Sequence, residues 1–211
     1  MHKQWKTTPF LLGVVIVHAL YYVAFQNEEV FWYVFTVSML FLLVMSLTSS
    51  SVRSLLQTRP TTRGVVIGAV IGLLLWAVAT LGLFVVASFI PVLIDEVKQL
   101  FATLGPTTWW QWISVFLIVI PAEQLLYRGW FSSQLQTFGL TGRVVSITMY
   151  ASPLLIMSGF PILAVAAVVA GVLWEWMLLS TRSLYSVIVS HMVMDGLLLL
   201  TWPSILSMYF S

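Results

Sequence analysis

Long apolar stretches dominate this sequence and leave few ways for the chain to fold. Seven of them stand between charged or turn-forming residues, at about 9–25, 30–48, 64–94, 112–131, 144–158, 161–179 and 184–202. A helix needs about 20 apolar residues to cross a hydrocarbon core of roughly 30 Å. Only 8% of the residues are charged and 60% are hydrophobic, so the chain lacks the polar surface of a water-soluble domain. We therefore expect an all-α, polytopic membrane bundle of about seven transmembrane helices.

The basic residues predict how this bundle is oriented. Lys and Arg accumulate in the cytoplasmic loops of membrane proteins. Eight of the nine basic residues fall on one side of the membrane if the seven stretches are crossings: Lys3, Lys6, Arg53, Arg59, Arg63, Arg128, Arg143 and Arg182. The amino terminus is therefore predicted to lie inside. Because no internal repeat or linker separates the stretches, residues 1–211 are interpreted as a single transmembrane domain.

Glycine and proline residues predict the boundaries of several elements. Breaks are expected at Gly105-Pro106 and at residues 139–142, and residues 158–161 predict a tight hairpin between the fifth and sixth stretches. The third stretch, at 64–94, is longer than one crossing needs, which predicts a tilted helix or one that extends beyond the bilayer.

Charge and cysteine content exclude several classes of function. A net charge of +2 provides no basic face for a nucleic acid. With no cysteine, the chain has no disulfides, no thiolate zinc site and no cysteine nucleophile. Three histidines make an all-histidine metal site implausible, although a mixed carboxylate and imidazole site for a divalent metal remains an alternative.

Ionisable side chains inside membrane spans are costly, so each one needs a partner, a water cavity or a function. Four qualify: Glu123, Glu175, His191 and Asp195. The helical rise places Glu123 and His191 both roughly 10–12 Å from the cytoplasmic ends of their spans, so the two can meet. His191 and Asp195 are spaced i, i+4 and share a helix face. Glu175 is interpreted as a structural pairing group and His18 as a packed histidine.

Other interpretations of these residues remain open at this point. Pro121 and Glu123 also suit the first turn of a new helix. His191 and Asp195 could form only an interhelical clasp. Arg128, close to the cytoplasmic end of its span, could extend to lipid head groups instead of joining a site.

Two motifs resemble those of the CPBP family of CAAX prenyl proteases and bacteriocin-processing or self-immunity proteins. The family's first motif is Glu-Glu-x-x-x-Arg, and the chain carries Glu123-Gln124-x-x-x-Arg128-Gly. The last motif is His-x-x-x-Asn or a close variant, and the chain carries His191-x-x-x-Asp195. The middle motif, Phe-x-x-x-His, has no histidine at its expected place near residues 151–160. The resemblance defines a CPBP-like core at residues 112–202.

The resemblance implies a glutamate that activates water to attack a peptide carbonyl, and a histidine that helps to stabilise the oxyanion. The candidate catalytic residues are Glu123, Gln124, Arg128, His191 and Asp195. Asp195 accepts hydrogen bonds, so in place of asparagine it is expected to orient His191 rather than bind an oxyanion. No cofactor is implied.

We therefore predict an intramembrane endopeptidase that cleaves a membrane-associated or prenylated peptide or protein. The alternative is a catalytically degenerate relative that binds a peptide or prenyl tail or confers bacteriocin immunity. A proton-coupled transporter is a third hypothesis. The expected partners are membrane lipids and a peptide or lipidated protein, with no nucleic acid, and the expected location is a bacterial or archaeal cell membrane.

Overall fold

A computed structural model of the chain describes residues 7–210, and every regular element in that range is helical. The elements are α1 (Thr7–Phe25), α2 (Phe31–Leu47), α3 (Ser50–Gln57), α4 (Thr62–Phe89), α5 (Val92–Leu104), α6 (residues 109–135), α7 (Gly139–Met157), α8 (Pro161–Thr181) and α9 (Leu184–Tyr209). The predicted all-α class is confirmed. Lys3 and Lys6, which entered the orientation argument, lie outside the described residues.

Five helical stretches of the described chain are long and apolar enough to cross a membrane: Glu28–Leu47, Thr62–Phe89, Trp109–Met157, Pro161–Thr181 and Leu184–Tyr209. A shorter apolar helix covers Pro9–Phe25. Several such helices in one chain make a multi-pass integral membrane protein. The count of about seven crossings and the inside amino terminus stay predictions.

The longest of these stretches, Trp109–Met157, is folded back on itself rather than straight. A short 3-10 turn, Gln136–Phe138, separates α6 from α7, and Gly139 follows it with a positive φ of 56°. The Tyr150 hydroxyl lies 3.0 Å from a carboxylate oxygen of Glu123, 27 residues earlier. That many residues of straight helix would separate the two by roughly 40 Å. The stretch therefore contains both predicted helices, 112–131 and 144–158, as an antiparallel pair.

The third apolar stretch, predicted at 64–94, is divided between two helices. Helix α4 ends at Phe89, and Ile90 has a non-helical backbone with φ of −134°. Pro91 explains the break, because proline has no N–H to donate and disfavours the helical conformation of the residue before it. The apolar residues 92–94 belong instead to the short helix α5, in which Ile94 packs with Leu83 of α4.

The predicted turns at Gly105-Pro106 and residues 158–161 are confirmed. Helix α5 ends at Leu104. Helices α7 and α8 are joined by residues 158–160, where Gly159 has a positive φ of 73° that glycine adopts without strain. The turn is further held by Ser158, whose hydroxyl oxygen accepts from the backbone N–H of Phe160 at 3.0 Å.

Helices α4 and α9 pack closely because α4 presents glycines at i, i+4 spacing. A Cβ at Gly68 would lie 2.4 Å from the backbone oxygen of Ser186, and one at Gly72 would lie 2.4 Å from that of Ser190. Such small-residue stripes let two membrane helices approach backbone to backbone. Residues further along α4 approach residues further along α9, so the two helices run parallel. This agrees with the predicted alternation, in which the third and seventh stretches cross in the same direction.

We expect Gly72→Ala to destabilise the bundle. The new methyl group would overlap the Ser190 carbonyl and the Val193 Cβ, at 2.4 and 2.8 Å. Overpacking of this kind costs about 1–3 kcal/mol, measurable as a lower midpoint of thermal or denaturant unfolding in detergent micelles. Gly82→Ala in the same helix is the matched control, since its Cβ meets nothing within 4 Å. Equal stability of the two variants would contradict the close α4–α9 packing.

Candidate active site

The first motif lies in an irregular part of α6. The turns Val115–Val119 and Gln124–Phe131 are π-helical, and the short α-helical segment Ile120–Glu123 lies between them. Pro121 has no N–H and its ring crowds the carbonyl four residues earlier, and the wider turn in front of it accommodates both effects. Because Val119 is itself helical, α6 runs through Pro121 without interruption. The alternative that Pro121 starts a new helix is therefore wrong.

The Glu123 carboxylate is buried and held by two tyrosines from other helices. Tyr21 of α1 donates its hydroxyl to Oε1 at 3.0 Å, and Tyr150 of α7 donates to Oε2 at 3.0 Å. Both oxygens thus keep a defined position, and each retains a lone pair for another donor. Neither tyrosine was singled out by sequence reasoning, because tyrosine carries no charge at neutral pH and is common in membrane helices.

The imidazole of His191 lies between the two carboxylates. Its Nε2 is 3.1 Å from Oδ2 of Asp195 and 4.0 Å from Oε2 of Glu123. Its Nδ1 is 2.8 Å from the amide nitrogen of Gln124. Since an amide nitrogen only donates, Nδ1 accepts, and the neutral ring carries its proton on Nε2. That proton points to Asp195, with the carboxylate of Glu123 nearby.

The ring of His191 is also fixed by its packing. The indole of Trp174 in α8 lies against it with ring centroids 4.1 Å apart. The Trp174 Nε1–H donates to the hydroxyl of Ser190 at 3.2 Å, which anchors the indole to α9. The expected approach of Glu123 and His191 is observed, and so is the expected His191–Asp195 contact.

Arg128 points into the protein rather than toward lipid head groups. Only 1% of it is exposed, and its guanidinium carbon lies 5.1 Å from the centroid of the Tyr150 ring. A cation over an aromatic face is attracted by the ring quadrupole. The alternative that Arg128 extends to the membrane surface is contradicted by this burial. Arg128 thus contacts the tyrosine that holds Glu123 instead of touching Glu123 itself.

The remaining two flagged residues lie outside this group. Glu175 is buried and accepts from the hydroxyl of Ser132 at 2.6 Å. His18 in α1 lies 3.0 Å from the Ser152 hydroxyl and 2.9 Å from the backbone oxygen of Val14. Both have partners on the protein, as their interpretation as pairing and packing residues requires.

A cavity of about 520 Å³ opens beside the acidic groups. Its walls come mainly from apolar residues of α4, α5, α6, α8 and α9, and Glu123 and Asp195 are the ionisable residues among those that line it. The two carboxyl groups therefore face a space suited to an apolar chain. A volume of this size is typical of pockets for small molecules or side groups.

The part of the chain that carries most of the site is similar to a known family. Residues 105–197 match the family model described as type II CAAX prenyl endopeptidase Rce1-like. This segment, a little under half of the chain, is similar to that family. The resemblance to the CPBP family is thereby confirmed, over a range close to the predicted core at 112–202. No curated protein and no solved structure matched the chain.

The Rce1-like segment contains all five candidate catalytic residues, and it also contains Tyr150 and Trp174. Tyr21 and all of the α4 and α5 walls of the cavity lie before it. The site is therefore completed by the first half of the chain, which the match does not cover.

Helix α7 of the Rce1-like segment lacks the middle-motif histidine, and the side chain that it brings to Glu123 is a phenol. Tyr150 lies directly before residues 151–160, where the motif was sought. Among residues 7–210, no three His, Asp or Glu side chains are grouped closely enough to hold a metal ion. Glu123 accepts from two phenols, and the imidazole of His191 lies 4.0 Å from its Oε2.

We expect Tyr150→Phe to preserve the fold and to lower the rate of any reaction in which the Glu123 carboxylate takes part. The substitution removes the hydroxyl that donates to Oε2 of Glu123 and keeps the ring under Arg128. Losing one hydrogen bond to a charged group costs about 1.5–3 kcal/mol, equivalent to a rate about 10–100-fold lower if the bond orients the carboxylate. The measurement is the initial rate in lipid nanodiscs. Tyr22→Phe, on an exposed position of α1, is the control and should leave the rate unchanged.

Proposed function

We propose that the protein is an intramembrane endopeptidase that cleaves a membrane-associated or prenylated peptide or protein, with Glu123 activating the water. The observation that carries the proposal is the placement of Glu123 on the wall of the apolar cavity, with 4.0 Å between its Oε2 and Nε2 of His191. This gap is too long for a hydrogen bond but allows one water oxygen to lie within hydrogen-bond distance of both atoms.

In the proposed reaction Glu123 is the general base. Its carboxylate takes a proton from the water as the oxygen attacks the peptide carbonyl, and a tetrahedral oxyanion forms. The C–N bond then breaks, and the proton held by Glu123 passes to the leaving amine. The carboxylate is regenerated, so the atoms and charges balance. A buried carboxylate is a suitable base because few water molecules compete for its lone pairs.

His191 supplies the donor for the oxyanion. Its Nε2–H lies between the two carboxylates and is placed to donate also to a charge that develops beside Glu123. Gln124 donates to Nδ1 and so keeps the proton on Nε2. Asp195 accepts from Nε2–H in the resting site and orients the ring, which is the role expected for an aspartate at this position.

The cavity supports an apolar substrate group close to the scissile bond. Its lining is apolar apart from the acidic pair, so an isoprenoid or acyl chain would be better accommodated there than a charged side chain. We propose membrane lipids and a peptide or lipidated protein as partners, and a bacterial or archaeal cell membrane as the location.

A second candidate function is binding without cleavage, including bacteriocin immunity. Both carboxylate oxygens of Glu123 already accept from tyrosine hydroxyls, and Gln124 stands where the family motif has a second glutamate. These hydrogen bonds leave fewer lone pairs of the carboxylate free to take a proton from water. A site of this kind would still hold an apolar ligand in the cavity.

The two candidates are separated by one assay. Purified protein in lipid nanodiscs is mixed with a farnesylated peptide or with the same peptide unmodified, and products are identified by mass spectrometry. Cleavage of the farnesylated peptide, unaffected by a chelator, is expected for the endopeptidase. Saturable binding with no product would favour the binding protein, and cleavage abolished by the chelator would require a metal. Asp95→Asn, a carboxylate lost from an exposed site, is the control variant.

A further inference from the structure

Glu175 is a buried carboxylate that the proposed reaction does not use. It lies in α8 with 4% of its surface exposed. The Ser132 hydroxyl donates to Oε1 at 2.6 Å, while Oε2 has no hydrogen-bond partner within the described chain. A buried carboxylate oxygen without a donor is strongly unfavourable. Oε2 is therefore open to a further hydrogen-bond donor.

Arg128 has the opposite problem, because its buried N–H donors have no acceptors in the part of the chain that the structure describes. Its Nε, Nη1 and Nη2 atoms are all buried, and none has a hydrogen-bond partner among residues 7–210. A guanidinium carries five N–H donors and no acceptor. The cation–π contact with Tyr150 uses the flat face of the group and leaves these in-plane donors free.

The two side chains lie close together along α8. A Cβ added to Gly171 would be 3.0 Å from Nη2 of Arg128, so the guanidinium rests against α8 at that residue. Gly171 and Glu175 are spaced i, i+4 and face the same side of the helix. The positive group and the carboxylate are therefore about one helical turn apart, without a direct hydrogen bond between them.

We propose that Arg128 and Glu175 form a buried ion pair bridged by water. A water molecule that accepts from a guanidinium N–H and donates to Oε2 gives a partner both to this oxygen and to one of the three unpartnered nitrogens. Buried waters typically make about three hydrogen bonds to polar groups of this kind. Polar contacts too long for a direct hydrogen bond are commonly closed in this way.

This pair makes Glu175 a positioning residue for the proposed reaction. The bridge holds the guanidinium over Tyr150, and Tyr150 donates to Oε2 of Glu123. Loss of the charge on Glu175 would release Arg128 and, through Tyr150, loosen the carboxylate that activates water. This last step depends on the proposed function, whereas the water-bridged pair does not.

The pair is tested by a double-mutant cycle on stability. Glu175→Gln keeps an acceptor for Ser132 but leaves Arg128 as an uncompensated buried charge, so the midpoint of thermal unfolding in nanodiscs should fall by about 5–15 °C. Adding Arg128→Gln to this variant should restore part of the loss, because both charges are then removed. Additive effects of the two substitutions would overturn the pair. Asp95→Asn is the control for removing a carboxylate.

The bridging water is tested by an experimental structure at a resolution that shows ordered water. Density within hydrogen-bond distance of both Arg128 and Oε2 of Glu175 is expected. Direct contact between the two side chains, or a dry gap, would overturn the bridge.

The positioning role is tested on cleavage of the farnesylated peptide. Glu175→Gln should lower kcat about tenfold and leave KM within about twofold, because the substrate cavity is not lined by Glu175. A change in KM alone, or no change in either, would overturn the role. If the wild-type protein cleaves no peptide, the proposed function fails, and the stability cycle still decides the ion pair.

Discussion

Replacing Glu123 with glutamine is expected to lower the rate of peptide cleavage by about 10²–10⁴-fold, the range that a positioned general base contributes. An amide oxygen still accepts a hydrogen bond, but an amide does not take a proton from water. The variant should fold normally, because the amide oxygen continues to accept from Tyr21 or Tyr150 and the amide nitrogen can donate to the other hydroxyl. The measurement is the single-turnover rate with a farnesylated peptide in nanodiscs.

Two measurements make this result specific to the chemistry. Binding of the peptide to Glu123→Gln, followed by a fluorescent label, should remain within a few-fold of wild type, because one polar group among an apolar lining changes little of the contact area. Asp95→Asn should cleave at the wild-type rate. If Glu123→Gln retains more than a tenth of wild-type activity, Glu123 is not the base and the proposed mechanism is wrong.

The positions of the helices could be predicted because apolar stretches and their breaks depend on local sequence. In the hydrocarbon core the backbone N–H and C=O groups need hydrogen bonds within the chain, and a helix provides them. The apolar stretches at 161–179 and 184–202 therefore correspond to α8 and α9. The division of 64–94 was missed because hydropathy continues across Ile90, although Pro91 is a local signal of the break.

The meeting of Glu123 and His191 could also be predicted, because the rise of a helix converts sequence position into depth. Ionisable groups in a membrane bundle face its interior and pair with one another, so two of them at the same depth are expected to lie close together. The contact of His191 with Asp195 follows from i, i+4 spacing on one helix. These inferences use only helical geometry, which is the same in every helix.

The environment of the carboxylate could not be predicted in this way. Tyr21 and Tyr150 are 102 and 27 residues away from Glu123 in sequence. Whether their hydroxyls point to Glu123 depends on how α1 and α7 pack against α6. The π-helical turns around Pro121 change which side chains of α6 face inward. Pro121 is the one residue in the sequence that indicates an irregular helix there. The inward direction of Arg128 follows from that same tertiary packing.

Replacing His191 with alanine is expected to lower the cleavage rate by about 10²–10³-fold, as loss of one oxyanion donor does in other hydrolases. The variant keeps Glu123 as the base but has no Nε2–H beside it. The comparison that gives this result its meaning is Asp195→Asn. The amide oxygen of that variant still accepts from Nε2–H, so His191 remains oriented and the rate should fall by no more than about tenfold.

Comparing the rate losses of His191→Ala and Asp195→Asn distinguishes two roles for His191. If it donates to the oxyanion, His191→Ala is far more damaging than Asp195→Asn, while peptide binding is similar in both variants. If His191 and Asp195 form only an interhelical clasp, the two substitutions should reduce thermal stability alike and leave the rate per folded molecule unchanged. Rates normalised to the folded fraction therefore separate a donor from a clasp, because only a donor acts on the transition state after folding is complete.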